Sequence, residues 1–190
     1  MKERIRHILN QYEKKRIIDL NALPSAVLIP IFEKDGEDHI LFTKRTDTVE
    51  HHKGQISFPG GRREIEDETL LQTALRECFE EVGILPEDVD VLGDLDDEKT
   101  HVSNYVISPY VGFVPYPYQF MTSPEEVDRL LEVPVSVLLD KSNFRQEIQT
   151  SGDKRYRAYF YQYGDEVIWG ATSRILKRFI NLICRETKSR

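Results

Sequence analysis

Arg76-Glu77-Cys78-Phe79-Glu80-Glu81-Val82-Gly83-Ile84 decides how this chain is read. As a helix it sets carboxylates at i, i+3 and i+4, so Glu77, Glu80 and Glu81 project from one side. Like charges at that spacing repel and cost helix stability, so a surface with no ligand gains nothing from stacking them. A divalent cation reverses the sign. Hard ions such as Mg²⁺ or Mn²⁺ need oxygen ligands, and Mg²⁺ usually takes one or two carboxylates beside phosphate oxygens. Taken alone, three glutamates read better as a solvated acidic face. The residues before them change that reading.

Just upstream stands Ser57-Phe58-Pro59-Gly60-Gly61-Arg62-Arg63-Glu64. A short apolar strand from Gln55 to Phe58 is stopped by Pro59 and turned by two glycines able to take positive φ. Asp67 or Thr69 is placed to cap the helix, and Leu71, Ala74, Leu75, Cys78 and Val82 recur at the 3.6 period on a separate face. Gly83 stands where a helix takes a left-handed cap, followed by apolar Ile84. The unit is strand, glycine loop, helix, loop, with its carboxylates directed away from the core stripe.

This unit resembles the signature of the Nudix hydrolases, written GX5EX7REUXEEXGU with U a bulky apolar residue. Counted from Gly61, the acidic position falls on Asp67, and Arg76 comes one residue late. That longer spacing resembles the coenzyme A diphosphatase branch. So do Leu41-Phe42-Thr43-Lys44-Arg45, His52-Lys53-Gly54-Gln55 and Phe58-Pro59-Gly60-Gly61. Further matches are Ser108-Pro109-Tyr110-Val111-Gly112, Pro124-Glu125-Glu126-Val127 and Ile168-Trp169-Gly170-Ala171-Thr172, so the resemblance runs from about residue 25 to 180. Two positions depart from the branch: Glu50, where a basic residue is common, and Ile65, in place of a proline.

Strands interspersed with helices indicate an α/β fold, which the resemblance sharpens to an α/β/α sandwich around a mixed β-sheet. With no repeat or linker, one domain is expected over residues 1–190, with an N-terminal helical extension at about 1–17. The resemblance implies a metal-dependent hydrolase of a nucleoside diphosphate linked to another moiety, with coenzyme A or acyl-coenzyme A cleaved to 3′-phospho-AMP and 4′-phosphopantetheine. Alternatives keep the chemistry but take ADP-ribose, dinucleotides or oxidised nucleotides, or give up turnover for ligand sensing. Glu77, Glu80 and Glu81 are then the ligands of Mg²⁺ or Mn²⁺, and Arg76 orients a neighbouring carboxylate by a bidentate contact. Glu126 or Glu80 is the general base, with Glu125 competing for the first role. Arg45, His52, Gln55, Gly60 and Gly61 belong to the substrate side, and the Gly60 carbonyl is a candidate ligand. Glu64 reads equally as part of the site or as a loop brace. Of Lys44 and Arg45, one should point inward and the other out. Trp169 reads as a core or rim aromatic.

Composition sets outer bounds. The chain has 190 residues, 39% hydrophobic and 31% charged, enough for a sizeable core. Its formal charge of −7, with no lysine-arginine cluster, argues against a nucleic-acid partner. No run approaches membrane-spanning length, the first residues show no signal-peptide pattern, and two cysteines make no disulfide framework, so the expected setting is cytoplasmic. A small-molecule diphosphate is the expected partner, with the chain a monomer or a homodimer. Ile5, Ile8, Leu9 and Tyr12 suggest an amphipathic first helix. Ala26 to Phe32 reads as a strand turning at Asp35-Gly36 into Ile40-Leu41-Phe42. Strands are expected around Val89–Leu95 and Asn104–Val114, a short helix at Pro124–Leu131, a hairpin from Phe144 to Tyr161 turning at Gly152-Asp153, and a closing helix at Thr172–Cys184.

Overall fold

The structure, a computed structural model, describes residues 1–46, 54–100, 103–151 and 154–185. Its centre is β1 (Leu23–Lys34), which joins β2 (Glu37–Arg45) through a tight turn. Asp35 and Gly36 both take positive φ, 53° and 79°, as a two-residue hairpin turn requires. That turn sets the antiparallel register Lys34↔Glu37 and Ile31↔Ile40.

Along β1, Ala26, Leu28 and Phe32 face one side, and Ile29 and Ile31 the other, all fully buried. Both faces must therefore be covered. α2 (Leu70–Val82) covers the first with Ala74, Cys78 and Val82. α1 (Lys2–Asn10) and α4 (Gly170–Arg185) cover the second with Ile5, Ile8 and Leu9 and with Ile175, Leu176, Phe179, Ile180 and Ile183. The result is a mixed α/β fold with helices on both faces of a large sheet.

The remaining strands are β3 (Ile56–Ser57), β4 (Gly60–Arg62), β5 (Asp90–Asp94), β6 (Glu98–Lys99), β7 (Tyr105–Phe113) and β8 (Val127–Pro134). The main sheet runs β3-β2-β1-β7-β5, with β4 beside β1, β6 beside β7 and β8 beside β2. β1 and β7 are parallel, and the other pairs antiparallel. A short helix α3 (Val135–Leu139) leads to a three-stranded sheet of β9 (Phe144–Ser151), β10 (Lys154–Tyr163) and β11 (Glu166–Ile168). Its expected turn at Gly152-Asp153 lies outside the described residues.

Three expectations are corrected. Pro124–Leu131 is not a helix: a turn at 124–126 leads into β8, because the outer side of β2 needs a partner and Val127, Leu131 and Val133 bury there. On α2, Leu70 and not Leu71 joins Leu75 against the core. The first helix stops at Asn10 and is part of the core, since Ile5 is 1% exposed. The stretch behind it is tied down by charge: the Lys15 amide donates to Asp96, and Arg16 Nη1 and the Ile17 amide donate to the buried Asp97.

Candidate active site

α2 begins with a reciprocal cap. Thr69 accepts from the Gln72 amide at 3.2 Å while the Gln72 side chain accepts from the Thr69 amide at 3.0 Å. Asp67, the other candidate cap, has a different task. Its carboxylate accepts two bonds from Arg76, at 3.0 Å from Nε and 2.9 Å from Nη2, and further bonds from Thr73 Oγ1 and the Glu64 amide, each 3.0 Å. Those donors hold the buried Asp67 carboxyl well below the usual carboxylate range, the Arg76 bond first among them. Arg76 also donates from Nη1 to Glu77 and Glu80, 3.0 Å each, and from Nη2 to the Arg62 carbonyl at 3.1 Å. All five of its N–H groups are thus engaged, so it clamps the glycine loop to the helix and has none left for a phosphate.

The three glutamates do not share one environment. Glu80 is the outermost, its side chain 53% exposed, and Glu77 lies deeper. Glu81 is buried at 4%, contrary to the expectation that all three point away from the core. Its Oε2 has no hydrogen-bond partner. Burial pushes the Glu81 carboxyl up to about 8, the charges of Glu77 and Glu126 add to that, and Arg45 and the Gly60 amide oppose it. Burial likewise raises Glu77. The two glycines serve this arrangement differently. Gly60 has φ 152°, and a Cβ there would strike the Ala26 carbonyl; a Cβ on Gly61 would strike the Glu77 carboxyl group.

Arg45 and Lys44 diverge at a β-bulge in β2. Lys44 pairs with Glu166 at 2.7 Å on one face, while Arg45 is turned so that its charge acts on Glu81, and its buried Nε has no partner. The Gln55 carbonyl accepts from the Arg45 amide at 3.0 Å. His52 and Glu50 lie outside the described residues. Glu126 is exposed on a turn stitched to the end of α2, since the Met121 and Ser123 amides donate to the Val82 and Glu81 carbonyls at 3.0 and 3.1 Å. Its charge raises both Glu77 and Glu81. Trp169, 47% exposed, is a rim residue.

A cleft of about 380 Å³ opens beside Glu77, lined by Arg62, Arg63, Glu64, Ile65 and Glu66. A larger one, about 600 Å³, lies away from the carboxylates between β8 and the turn into β11. Its cations are already paired, Lys34 with Glu132 at 2.6 Å and Arg129 with Glu166, so its size alone does not make it the reaction site.

The NUDIX domain family model matches residues 22–149. The chain belongs to the Nudix family. Among its relatives, an uncharacterized Nudix hydrolase NudL from Photorhabdus laumondii is 37% identical over 162 residues, 85% of each chain. One of the same name from Yersinia enterocolitica is 38% identical over 158 residues, covering 83% of this chain and 80% of that one. Among solved structures, a MutT protein from Methanosarcina mazei superposes with TM-score 0.53 at 19% identity, over 94% of this chain and 99% of that one. An Ap4A hydrolase from C. elegans gives 0.52 at 15% identity, over 62% and 83%. These structural likenesses concern the fold, and the family assigns the activity: a Nudix hydrolase, an enzyme of the diphosphatase type.

In this Nudix hydrolase no ready-made cage of three acidic or soft ligands exists among the described residues, where Arg76 engages both Glu77 and Glu80. The donor set nevertheless suits a hard divalent ion. Glu81 offers a buried carboxyl oxygen with nothing to bond, whose charged form a cation would favour against burial, Glu77 and Glu126 act on the same space, and Gly61 lacks the Cβ that would displace Glu77. Sequence reasoning missed Arg62 as a cleft residue and Thr73 as the second anchor of Asp67. Their only advance signal was proximity to the glycine loop and α2.

Proposed function

We propose that this Nudix hydrolase cleaves the diphosphate of coenzyme A or its acyl derivatives, yielding 3′-phospho-AMP and 4′-phosphopantetheine, with Mg²⁺ or Mn²⁺ held by Glu77, Glu81 and Glu80. The observation that carries the metal site is the orphaned, buried Glu81 oxygen beneath the glycine loop. When bound, the cation would neutralise phosphate oxygens and lower the pKa of a coordinated water. Asp67 and Arg76 position the carboxylates without touching substrate. Glu126 is the general base in this reading: it is exposed and its charge reaches both Glu77 and Glu81, whereas Glu80 is engaged by Arg76.

Support for coenzyme A comes from the branch-like spacing of residues 41–61 and from Arg45, whose unpartnered Nε lies at the Glu81 end of β2. A guanidinium there suits the extra phosphate that distinguishes coenzyme A from ADP-ribose, with Gln55 and His52 proposed beside it. The intact glutamate set speaks against a sensor without turnover. The test is a panel of coenzyme A, ADP-ribose, NADH, diadenosine polyphosphates and nucleoside triphosphates with Mg²⁺ or Mn²⁺. Coenzyme A should give the highest kcat/KM. A clear preference for ADP-ribose or a diadenosine polyphosphate would overturn the substrate while leaving the hydrolase.

A further inference from the structure

The three-stranded sheet ends in an open edge. β9 pairs with β10 along one side over Phe144–Ser151. On its other side no strand adjoins it, and no β9 backbone group bonds outside the sheet among the described residues. Such a row of free N–H and C=O groups is a template for a further strand. Ile148, 63% exposed, stands on it without apolar cover.

β9 alternates by face. Phe144, Gln146 and Ile148 share one face, where the Phe144 ring packs on Tyr161 at 5.0 Å and under the Lys177 ammonium at 4.3 Å. Arg145 and Glu147 share the other, where the Arg145 guanidinium covers Phe160 at 4.5 Å and its Nε meets Glu147 at 3.3 Å. Both charged side chains are largely exposed, 64% and 47%, so that contact within the strand contributes little and is readily exchanged.

We propose that β9 pairs antiparallel with β9 of a second copy of this chain, across a two-fold axis at Gln146. A two-fold normal to the sheet keeps the faces aligned, so each residue meets one of its own face. Centring the axis on Arg145 or on Glu147 sets that charge against its own copy, which is unfavourable. Centring it on Ile148 leaves Arg145 opposite Ser151 and Glu147 opposite Gln149, with no charge paired. Centring it on Gln146 places Arg145 opposite Glu147 twice and Phe144 opposite Ile148 twice. Charges on an edge strand usually block pairing, but opposite signs spaced symmetrically about Gln146 complement themselves. The interface is small, so the dissociation constant should be on the order of micromolar.

Sedimentation velocity over a concentration series tests this with two variants, Arg145→Glu and Glu147→Arg. Wild type should dimerise reversibly, more weakly at high salt. Each variant alone places like charges opposite one another and should lose affinity about 30-fold or more. An equimolar mixture of the two should form a heterodimer, because one chain then presents only Glu and the other only Arg at these positions. That recovery also shows that both variants are folded. A wild type that stays monomeric, a variant that dimerises like wild type, or a mixture that fails to associate would each overturn the proposal.

Discussion

At the scale of single residues, the two loop glycines separate structure from chemistry. A Cβ at Gly60 meets backbone, the Ala26 carbonyl, at a φ that L residues rarely adopt. Gly60→Ala should therefore destabilise the fold by about 1–3 kcal/mol, read by denaturant unfolding. At Gly61 the obstacle is the end of the flexible Glu77 side chain, which can swing away. Gly61→Ala should leave unfolding nearly unchanged while lowering turnover about tenfold or more, because the displaced group is a proposed ligand. An equal loss of stability in the two variants would contradict this division. The sequence made Glu77, Glu80 and Glu81 candidate ligands through their spacing together with the glycine loop just before them. It did not reveal that Glu81 is buried, since helix periodicity gives direction but not how deeply neighbouring chain covers a face.

At the scale of elements, the decisive contact is the clamp of Asp67 on Arg76, which fixes the glycine loop to α2. Breaking a buried pair strands the remaining charge, so Asp67→Asn should cost about 2–3 kcal/mol at neutral pH, softened by the bonds Arg76 keeps to Glu77 and Glu80. The sign with pH follows from linkage. The folded Asp67 carboxyl sits below its unfolded value, so its contribution is complete above the unfolded pKa and is lost as pH falls toward the folded one. The stability gap between wild type and Asp67→Asn should be flat from neutrality to about pH 5 and shrink below about pH 4. Denaturant midpoints at several pH values measure it; a gap that widens in acid would refute the clamp. Elements with local signals were readable: the Asp35-Gly36 turn because its backbone demands positive φ, and α2 because its stripe ends at a left-handed Gly83. Pro124-Glu125-Glu126 imitated a helix start, yet β2's outer side made the following residues a strand. That demand is long-range and leaves no local mark.

At the scale of the whole molecule, the layered sheet and three of its helices stand without the proposed metal site, their cores lying on either side of β1. Chelation should accordingly abolish turnover while leaving the circular dichroism spectrum and melting temperature nearly unchanged, unlike a structural zinc domain. Substrate choice belongs to the same scale, because Arg45 reaches the α2 carboxylates only when β2 and α2 are assembled. Wild type should favour coenzyme A over dephospho-coenzyme A by about tenfold or more in kcat/KM, and Arg45→Ala should narrow that ratio. The central claim, a cation-dependent diphosphate cleavage that runs through the buried carboxylate, is tested most directly by one time course. Wild type and Glu81→Gln are compared on coenzyme A with saturating Mg²⁺, after folding of both is verified. The expected result is 3′-phospho-AMP and 4′-phosphopantetheine from wild type, and a rate at least about 100-fold lower from the variant. A variant that keeps the wild-type rate, or a wild type that leaves coenzyme A intact, would contradict it.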